Sequence, residues 1–163
     1  MKYVNFCLVA IFSLALSSVS VKDAPPSLGY YPGEIIPGIE FTDLEGESYK
    51  LSDYKGKKVV VSFWASYDAH SRANNVRLHN YLQMIESEVT FISIAFDENK
   101  NVVERTLAID NLNNLSQFCE VKGTNSELYR DFKLNRGFRN YLIDEEGVIQ
   151  AMNITPEDLN VIF

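Results

Sequence analysis

The chain has 163 residues and a formal net charge of −7 at pH 7, with 15 Lys and Arg against 22 Asp and Glu. This acidic balance argues against nucleic acid and anionic membrane surfaces as partners, because both are bound through an excess of basic side chains. The length suits one domain preceded by a short leader, and a chain of this size can bury a hydrophobic core.

Residues 1–20 have the pattern of a secretory signal peptide. Lys2 supplies the charged start, an apolar run follows at 6–16, and small residues predict cleavage near Ser20. We therefore expect export to a bacterial periplasm, with no stable membrane insertion after cleavage. The alternative is a retained anchor, for which the apolar run is short. Cys7 leaves with the leader, so the mature chain has Cys119 alone and forms no internal disulfide.

Residues 21–32 are rich in Pro and Gly and predict a linker, followed by one domain at 33–163. Within that domain, short strands at 39–42 and 48–51 flank a turn at 44–47 and predict a hairpin. The run at 59–64, VVVSFW, is apolar, β-branched and aromatic, which is typical of a strand buried on both faces.

A helix is predicted after that strand, over 71–85, with Asp68 as its N-cap. Later segments alternate between buried strands and capped helices. Together they predict an α/β fold with a central mixed β-sheet flanked by helices and an added N-terminal β-hairpin. The later elements are a strand at 89–96, a helix at 100–110 capped by Asp97 and Asn99, an extended piece at 115–119, a helix at 127–132 capped by Ser126, strands at 140–143 and 148–152, and a final helix starting at Thr155.

The sequence FWASYDAHSR, at 63–72, resembles the FWASWCGPCR stretch of thioredoxin-like proteins of the TlpA-like and alkyl hydroperoxide reductase/thiol-specific antioxidant (redoxin) type. The resemblance covers about residues 33–163 and implies a thioredoxin-like fold and a relationship to thiol-disulfide oxidoreductases. The hairpin segment also resembles the larger, peroxiredoxin-like members.

The two cysteines of that motif are absent. In the register of the resemblance, Asp68 occupies the nucleophilic position and Ser71 the resolving one, with Ala69 and His70 between them. A carboxylate does not attack a disulfide as a thiolate does, and a serine hydroxyl without a base is a poor nucleophile. The structural interpretation is that Asp68 caps the helix on the turn that contains Ser71.

The proline loop of the family is altered as well. Where relatives carry PTxFLID with a cis-proline, this chain reads GFRNYLID at 137–144. Phe138 stands at the proline position, so we expect a trans bond there, because a cis bond before a non-proline residue costs about 2.5–4 kcal/mol. Arg139 follows it, and we predict that Arg139 pairs with Asp68 and lowers its pKa.

Other chemistries have weaker support. Cys119 is a candidate thiol, but its apolar surroundings favour a buried, inert cysteine. Asp68 and His70 could bind a metal only with a third ligand, which the spacing does not supply. Asp68, His70 and Ser71 are too close in sequence to align as a hydrolytic triad. Tyr67, Phe138 and Tyr141 are candidates for an exposed aromatic rim.

The preferred interpretation is an exported, redox-inactive binding or accessory module without cofactor or metal, whose partner is an unidentified protein or small molecule. The alternative is a thiol oxidoreductase or peroxidase acting through Cys119 or an external thiol, and whether the chain is an enzyme stays open. A third hypothesis is a small-molecule or metal site at Asp68 and His70. The candidate binding surface consists of Tyr67, Asp68, His70, Ser71, Phe138 and Arg139.

Overall fold

The structure is a computed structural model that describes residues 25–112 and 117–162. The predicted signal peptide, the first residues of the predicted linker and the start of the extended piece at 115 lie outside the described residues. The boundary between linker and domain at residue 33 stays a prediction.

Seven strands and four α-helices make up the described part of the chain. The strands are β1 (Glu40–Thr42), β2 (Ser48–Lys50), β3 (Val59–Trp64), β4 (Thr90–Ala95), β5 (Gln117–Cys119), β6 (Asn140–Ile143) and β7 (Ile149–Met152). The helices are α1 (Ala69–Met84), α2 (Lys100–Ile109), α3 (Glu127–Asp131) and α4 (Pro156–Ile162), and short 3₁₀ turns occupy Leu51–Tyr54, Gly123–Asn125 and Leu134–Arg136.

The main sheet has the strand order β5-β4-β3-β6-β7. β3 pairs with β4 in parallel and β4 with β5 in parallel, whereas β6 and β7 add antiparallel strands on the other side of β3. β1 and β2 form a separate antiparallel hairpin. This mixed sheet with flanking helices and an N-terminal hairpin confirms the predicted fold class.

All six residues of β3 are buried, because the strand lies in the middle of the sheet and both of its faces are covered. Val61 and Phe63 pack into a large core with the hairpin and Phe132. Val60 points to the opposite face, where Leu78 of α1 and Leu159 of α4 cover it. The end of β3 is therefore rigidly positioned, and α1 begins directly beyond it.

The N-terminal segment before β1 is bonded to the edge of the sheet. The Gly33 N–H donates to the carbonyl of Ile149 at 2.8 Å, and the Ile36 N–H donates to the carbonyl of Gly147 at 3.0 Å. Ile36 itself is buried in the large core. The chain thus joins the β6–β7 end of the sheet before it enters the hairpin.

One predicted cap is wrong. Asn99 caps α2 by accepting from the N–H of Asn101, but Asp97 is buried and its carboxylate binds Ser66 instead. Three caps are confirmed: Asn99 on α2, Asp68 on α1 and Ser126 on α3. α1 starts at Ala69, two residues before the predicted start, because a helix begins directly after its N-cap.

Asn140 fixes the first residue of β6 to the loop before α4. Its side-chain amide donates to the carbonyl of Ile154 at 3.0 Å, and its side-chain oxygen accepts from the Ile154 N–H at 2.6 Å. Both residues are buried. This side chain therefore supplies partners to two backbone groups that water does not reach.

We predict that Asn140→Ala lowers the free energy of unfolding by about 2 kcal/mol, because the buried Ile154 N–H loses its partner and the Ile154 carbonyl keeps only the longer bond from Asn74 at 3.5 Å. Urea unfolding measures the loss. Asn135→Ala, at an exposed position, is the matched control and should change stability by less than about 0.5 kcal/mol. Equal effects of the two substitutions would contradict this role of Asn140.

Candidate functional site

The candidate site is the corner between the end of β3 and the start of α1. Asp68 has extended backbone angles, φ −103° and ψ 100°, and its Oδ1 accepts from the Ser71 N–H at 2.7 Å. Its backbone carbonyl accepts from the Arg72 N–H at 3.0 Å. The side chain at the nucleophile position of the resemblance therefore serves as the N-cap of α1.

Ser71 is part of the same capping arrangement. Its side chain is buried, its hydroxyl donates to the carbonyl of Asp68 at 3.2 Å, and its oxygen accepts from the Ala65 N–H at 3.4 Å. The N–H of Ser71, bound to the carboxylate, keeps the pKa of Asp68 below its ordinary value, and the nearby His70 acts in the same direction. Asp68 is therefore a carboxylate at neutral pH, and the Ser71 hydroxyl is bound within the same turn.

A chain of hydrogen bonds connects this corner to the next strand. The N–H of Ser66 donates to the Asp97 carboxylate at 2.9 Å, and the Ser66 hydroxyl donates to the same carboxylate. The thiol of Cys119 donates to the backbone carbonyl of Asp97 at 3.3 Å. These bonds hold the end of β3 and the end of β4 in a fixed relation.

Cys119 lies on β5, away from the start of α1, and is 3% exposed. It packs with Trp64, Val103 and Leu107 in an apolar cluster. Burial raises the pKa of its thiol to about 11. The thiol is buried, as predicted, and has little thiolate at neutral pH, whereas its inertness stays a prediction.

The predicted pairing of Arg139 with Asp68 is wrong. Within residues 25–112 and 117–162, no ion pair joins the two side chains. The Asp68 carboxylate accepts instead from the Ser71 N–H at the start of α1. Arg139 lies instead near the buried hydroxyl of Tyr141; burial raises the pKa of that hydroxyl and the guanidinium opposes the rise. Arg72, in the same motif, binds Asp110 through two bonds of 2.7 and 2.6 Å.

The aromatic side chains near the corner divide into exposed and buried ones. Tyr67 is 62% exposed, and its ring lies 6.4 Å from that of Phe138, centroid to centroid. Phe138 in turn contacts Phe96 and Tyr129 at 5.9 and 6.1 Å. Tyr141 is fully buried, so the predicted exposed rim is wrong for that residue. Its side chain lies in the large core because β6 is an internal strand of the sheet.

The loop before β6 replaces the proline loop of the resemblance. The described residues contain no cis peptide bond, so the bond before Phe138 is trans, as predicted. The carbonyl of Arg139 accepts from the Phe63 N–H at 2.9 Å, which continues the β3–β6 ladder up to the corner. The loop at 137–139 thus lies beside the start of α1.

A cleft of about 390 Å³ opens between α1 and this loop. His70, Ser71, Phe138 and Arg139, from the predicted surface, line it together. Tyr67 and Asp68 lie outside its lining, so the predicted surface is only partly one site. The remaining lining residues are Ser62, Phe63, Ala73, Asn74, Arg77, Arg136, Gly137, Asn140, Asn153 and Thr155.

Sequence reasoning missed Arg77 and Arg136 as members of this site. Arg136 lies one residue before the loop and Arg77 lies two turns along α1, so only the fold brings them to one cleft. The repeated arginines of Arg136-Gly137-Phe138-Arg139 were the signal that could have indicated it.

In the described part of the chain, no three His, Cys, Asp or Glu side chains converge in a way that could hold a metal ion. His70 is exposed at the cleft, and His79 is buried in the middle of α1. Among the helices of the described residues, none is long and apolar enough to cross a membrane.

The sheet order, the hairpin and the helix that starts at the end of the central strand define a thioredoxin-like protein. The sequence model of the AhpC/TSA family matches residues 32–152 of this chain. The chain therefore belongs to that family.

Individual relatives agree with this placement. The chain is 24% identical over 129 residues to the thioredoxin-like protein YneN of Bacillus subtilis, covering 78% of this chain and 74% of that protein. A thioredoxin-like protein from Parabacteroides distasonis has a similar structure, with a TM-score of 0.71 and 38% identity over 83% of this chain and 96% of that one. The C-terminal domain of a putative thiol-disulfide oxidoreductase from Bacteroides thetaiotaomicron shares the fold, with a TM-score of 0.69 and 23% identity over 85% and 95% of the two chains.

We predict that Asp68→Ala lowers the free energy of unfolding at pH 7 by about 1 kcal/mol, through loss of the N-cap. Because the folded-state pKa of Asp68 is lowered, the charge-dependent share of this contribution is present above the unfolded pKa near 4 and is lost as the pH falls through the folded value. Urea unfolding at pH 7 and near pH 3 measures the difference. Asp68→Asn is the control that keeps a cap without titrating; a pH-independent gap for Asp68→Ala would contradict the assignment.

We predict that Cys119 reacts with a thiol-specific disulfide reagent at least about a hundredfold more slowly in the native protein than in urea. A pKa of about 11, against an ordinary 9.0, reduces the thiolate fraction by about that factor at pH 8, and burial slows the reaction further. Absorbance of the released reagent thiol reports the rate. Native and unfolded rates within tenfold of each other would show an accessible thiol instead.

Proposed function

We propose that this protein is an exported thioredoxin-like binding or accessory module without thiol redox activity. The observation that carries the proposal is the chemistry at the start of α1, where the side chains that cap the helix are Asp68 and Ser71. Dithiol exchange needs a thiolate that attacks a disulfide sulfur and a second thiol that resolves the mixed disulfide. Neither group is present at this corner.

The remaining thiol does not replace them. Cys119 is separated from the corner by Asp97 and by the buried Trp64, and its sulfur is engaged with the Asp97 carbonyl. One thiol could act only with an external thiol as its resolving partner. A buried thiol with a raised pKa is poorly suited to that reaction, which supports a role in packing.

The corner is nevertheless open to solvent. Tyr67, Ala69 and His70 are exposed, and the cleft beside them reaches Phe138 and Arg139. The helix start is rigid because its cap is satisfied within the turn. A rigid, exposed corner with an adjoining cleft suits recognition of a partner better than turnover at a reactive atom.

Export is the second part of the proposal and rests on the leader pattern at 1–20. Cleavage near Ser20 would remove Lys2 and no acid, leaving 14 Lys and Arg against 22 Asp and Glu, a net charge of −8. The mature chain would then reach the periplasm with Cys119 as its one cysteine, and it would rely on its core for stability.

Membership of the AhpC/TSA family favours a second candidate, a thiol oxidoreductase or peroxidase that acts through Cys119 or an external thiol. The two candidates make opposite predictions for one assay. Residues 21–163 and the same chain with Cys119→Ser would be tested for reduction of a disulfide reporter and for consumption of hydrogen peroxide. We expect no rate above buffer from either protein. Activity that disappears with Cys119→Ser would overturn the binding-module proposal.

A gain-of-function variant is the positive control for that assay. With Asp68→Cys and Ser71→Cys together, the helix start receives two thiols in the arrangement that its α1 amides can activate. We expect this double variant to form an internal disulfide and to give measurable reporter reduction. Activity in the double variant and none in the parent would place the cause of inactivity in those two side chains.

A further inference from the structure

The cleft beside α1 is positively charged although the protein as a whole is acidic. Three arginines, Arg77, Arg136 and Arg139, line it together with His70, and no Asp or Glu is among its described lining residues. The whole chain has a net charge of −7. A concave, single-sign lining of this kind focuses positive potential, which raises the local concentration of anions.

Two of the three arginines keep a positive charge that no carboxylate of the described residues compensates, although Arg139 also lies near the Tyr141 hydroxyl. Arg77 donates to both carboxylate oxygens of Glu157 at 2.9 and 3.2 Å, so its charge is largely compensated at the rim. Within residues 25–112 and 117–162, neither Arg136 nor Arg139 forms an ion pair with a carboxylate. A planar guanidinium presents several N–H donors in the geometry that carboxylate and phosphate oxygens accept.

The cleft has an apolar wall as well as its charges. Phe138 forms this wall and is held in place by Phe96 and Tyr129. The floor of the cleft is held in place because the side-chain amide of Asn140 binds both the carbonyl and the N–H of Ile154. A volume of about 390 Å³ suits a small molecule.

We propose that this cleft is a binding site for a small organic anion, whose carboxylate or phosphate is held by Arg136 and Arg139 and whose apolar part packs against Phe138. The bound group is an oxyanion attached to a flat or branched hydrocarbon. This inference deepens the proposed binding function and rests on it for its biological meaning, but it is tested by binding alone.

Isothermal titration of residues 21–163 in 150 mM NaCl would use four probes: benzoate, phenyl phosphate, inorganic phosphate and neutral benzyl alcohol. We expect saturable binding of benzoate or phenyl phosphate, weaker binding of inorganic phosphate, and none of benzyl alcohol. The first two probes distinguish a carboxylate ligand from a phosphate ligand. Absence of saturable binding by both aromatic anions would overturn the proposal, as would equal binding of benzyl alcohol.

Arg136→Gln combined with Arg139→Gln should weaken binding of the preferred anion at least tenfold. Arg105→Gln, an exposed arginine on α2 outside the cleft, makes the same chemical change and should leave the affinity within twofold. Equal losses from cleft and control substitutions would indicate only general charge attraction and would overturn the site. If the double variant is unfolded, the amide NMR shifts of the unaltered protein are followed as the anion is added. Changes centred on His70 and Gly137 support the site. Changes elsewhere contradict it.

The outcomes for this site and for the proposed function are distinguishable. Thiol turnover by the parent chain together with anion binding would remove the redox-inactive proposal and leave the anion site. If the parent chain shows neither thiol turnover nor anion binding, the redox-inactive proposal stands and the anion site is removed.

Discussion

Burial of β3 on both faces is the constraint on which the rest of this structure depends. Every residue from Val59 to Trp64 is covered, by the hairpin core on one side and by α1, α2 and α4 on the other. The strand also pairs with a neighbour on each edge, β4 in parallel and β6 antiparallel. The end of β3 is therefore fixed in position, and it holds the turn that leads into α1 in place.

The corner at the end of β3 places a carboxylate at the start of α1. An α-helix start offers N–H groups and positive potential, which stabilise a thiolate where a cysteine stands there. In this chain the same N–H groups bind the carboxylate of Asp68. The carboxylate accepts from the Ser71 N–H within the same turn, and Arg139 lies instead near the Tyr141 hydroxyl, where it lines the cleft.

Charge in this protein is distributed unevenly. The net charge of the whole chain and the local charge of the cleft lead to different conclusions. The net charge of −7 argues against polyanionic partners such as nucleic acid and anionic membranes, which need broad basic surfaces. Arg136 and Arg139 nevertheless give one small cleft a positive lining. A cleft of that size discriminates by local contacts, so a small anion can be attracted where a large one is repelled.

Several features of the fold were determined by the sequence itself. The apolar run at 59–64 was predicted with its observed bounds, because a strand covered on both faces needs a continuous apolar stretch. The caps Asp68 and Ser126 were predicted because capping is a local interaction between a side chain and the N–H groups within the next turn. Asp68 and Ser71, at the two cysteine positions of the motif that the chain resembles, were visible in the sequence alone.

Other features were decided only by the tertiary structure, since they join residues that are distant in the chain. Asp97 was expected to cap α2, but the end of β4 lies beside Ser66, and the carboxylate binds there. Arg139 was expected to reach Asp68, but a closer partner satisfies that carboxylate. Sequence spacing cannot show which of two available partners is nearer in space. For the same reason the cleft that gathers Arg77, Arg136 and Arg139 exists only once β6 has packed against β3 beside α1.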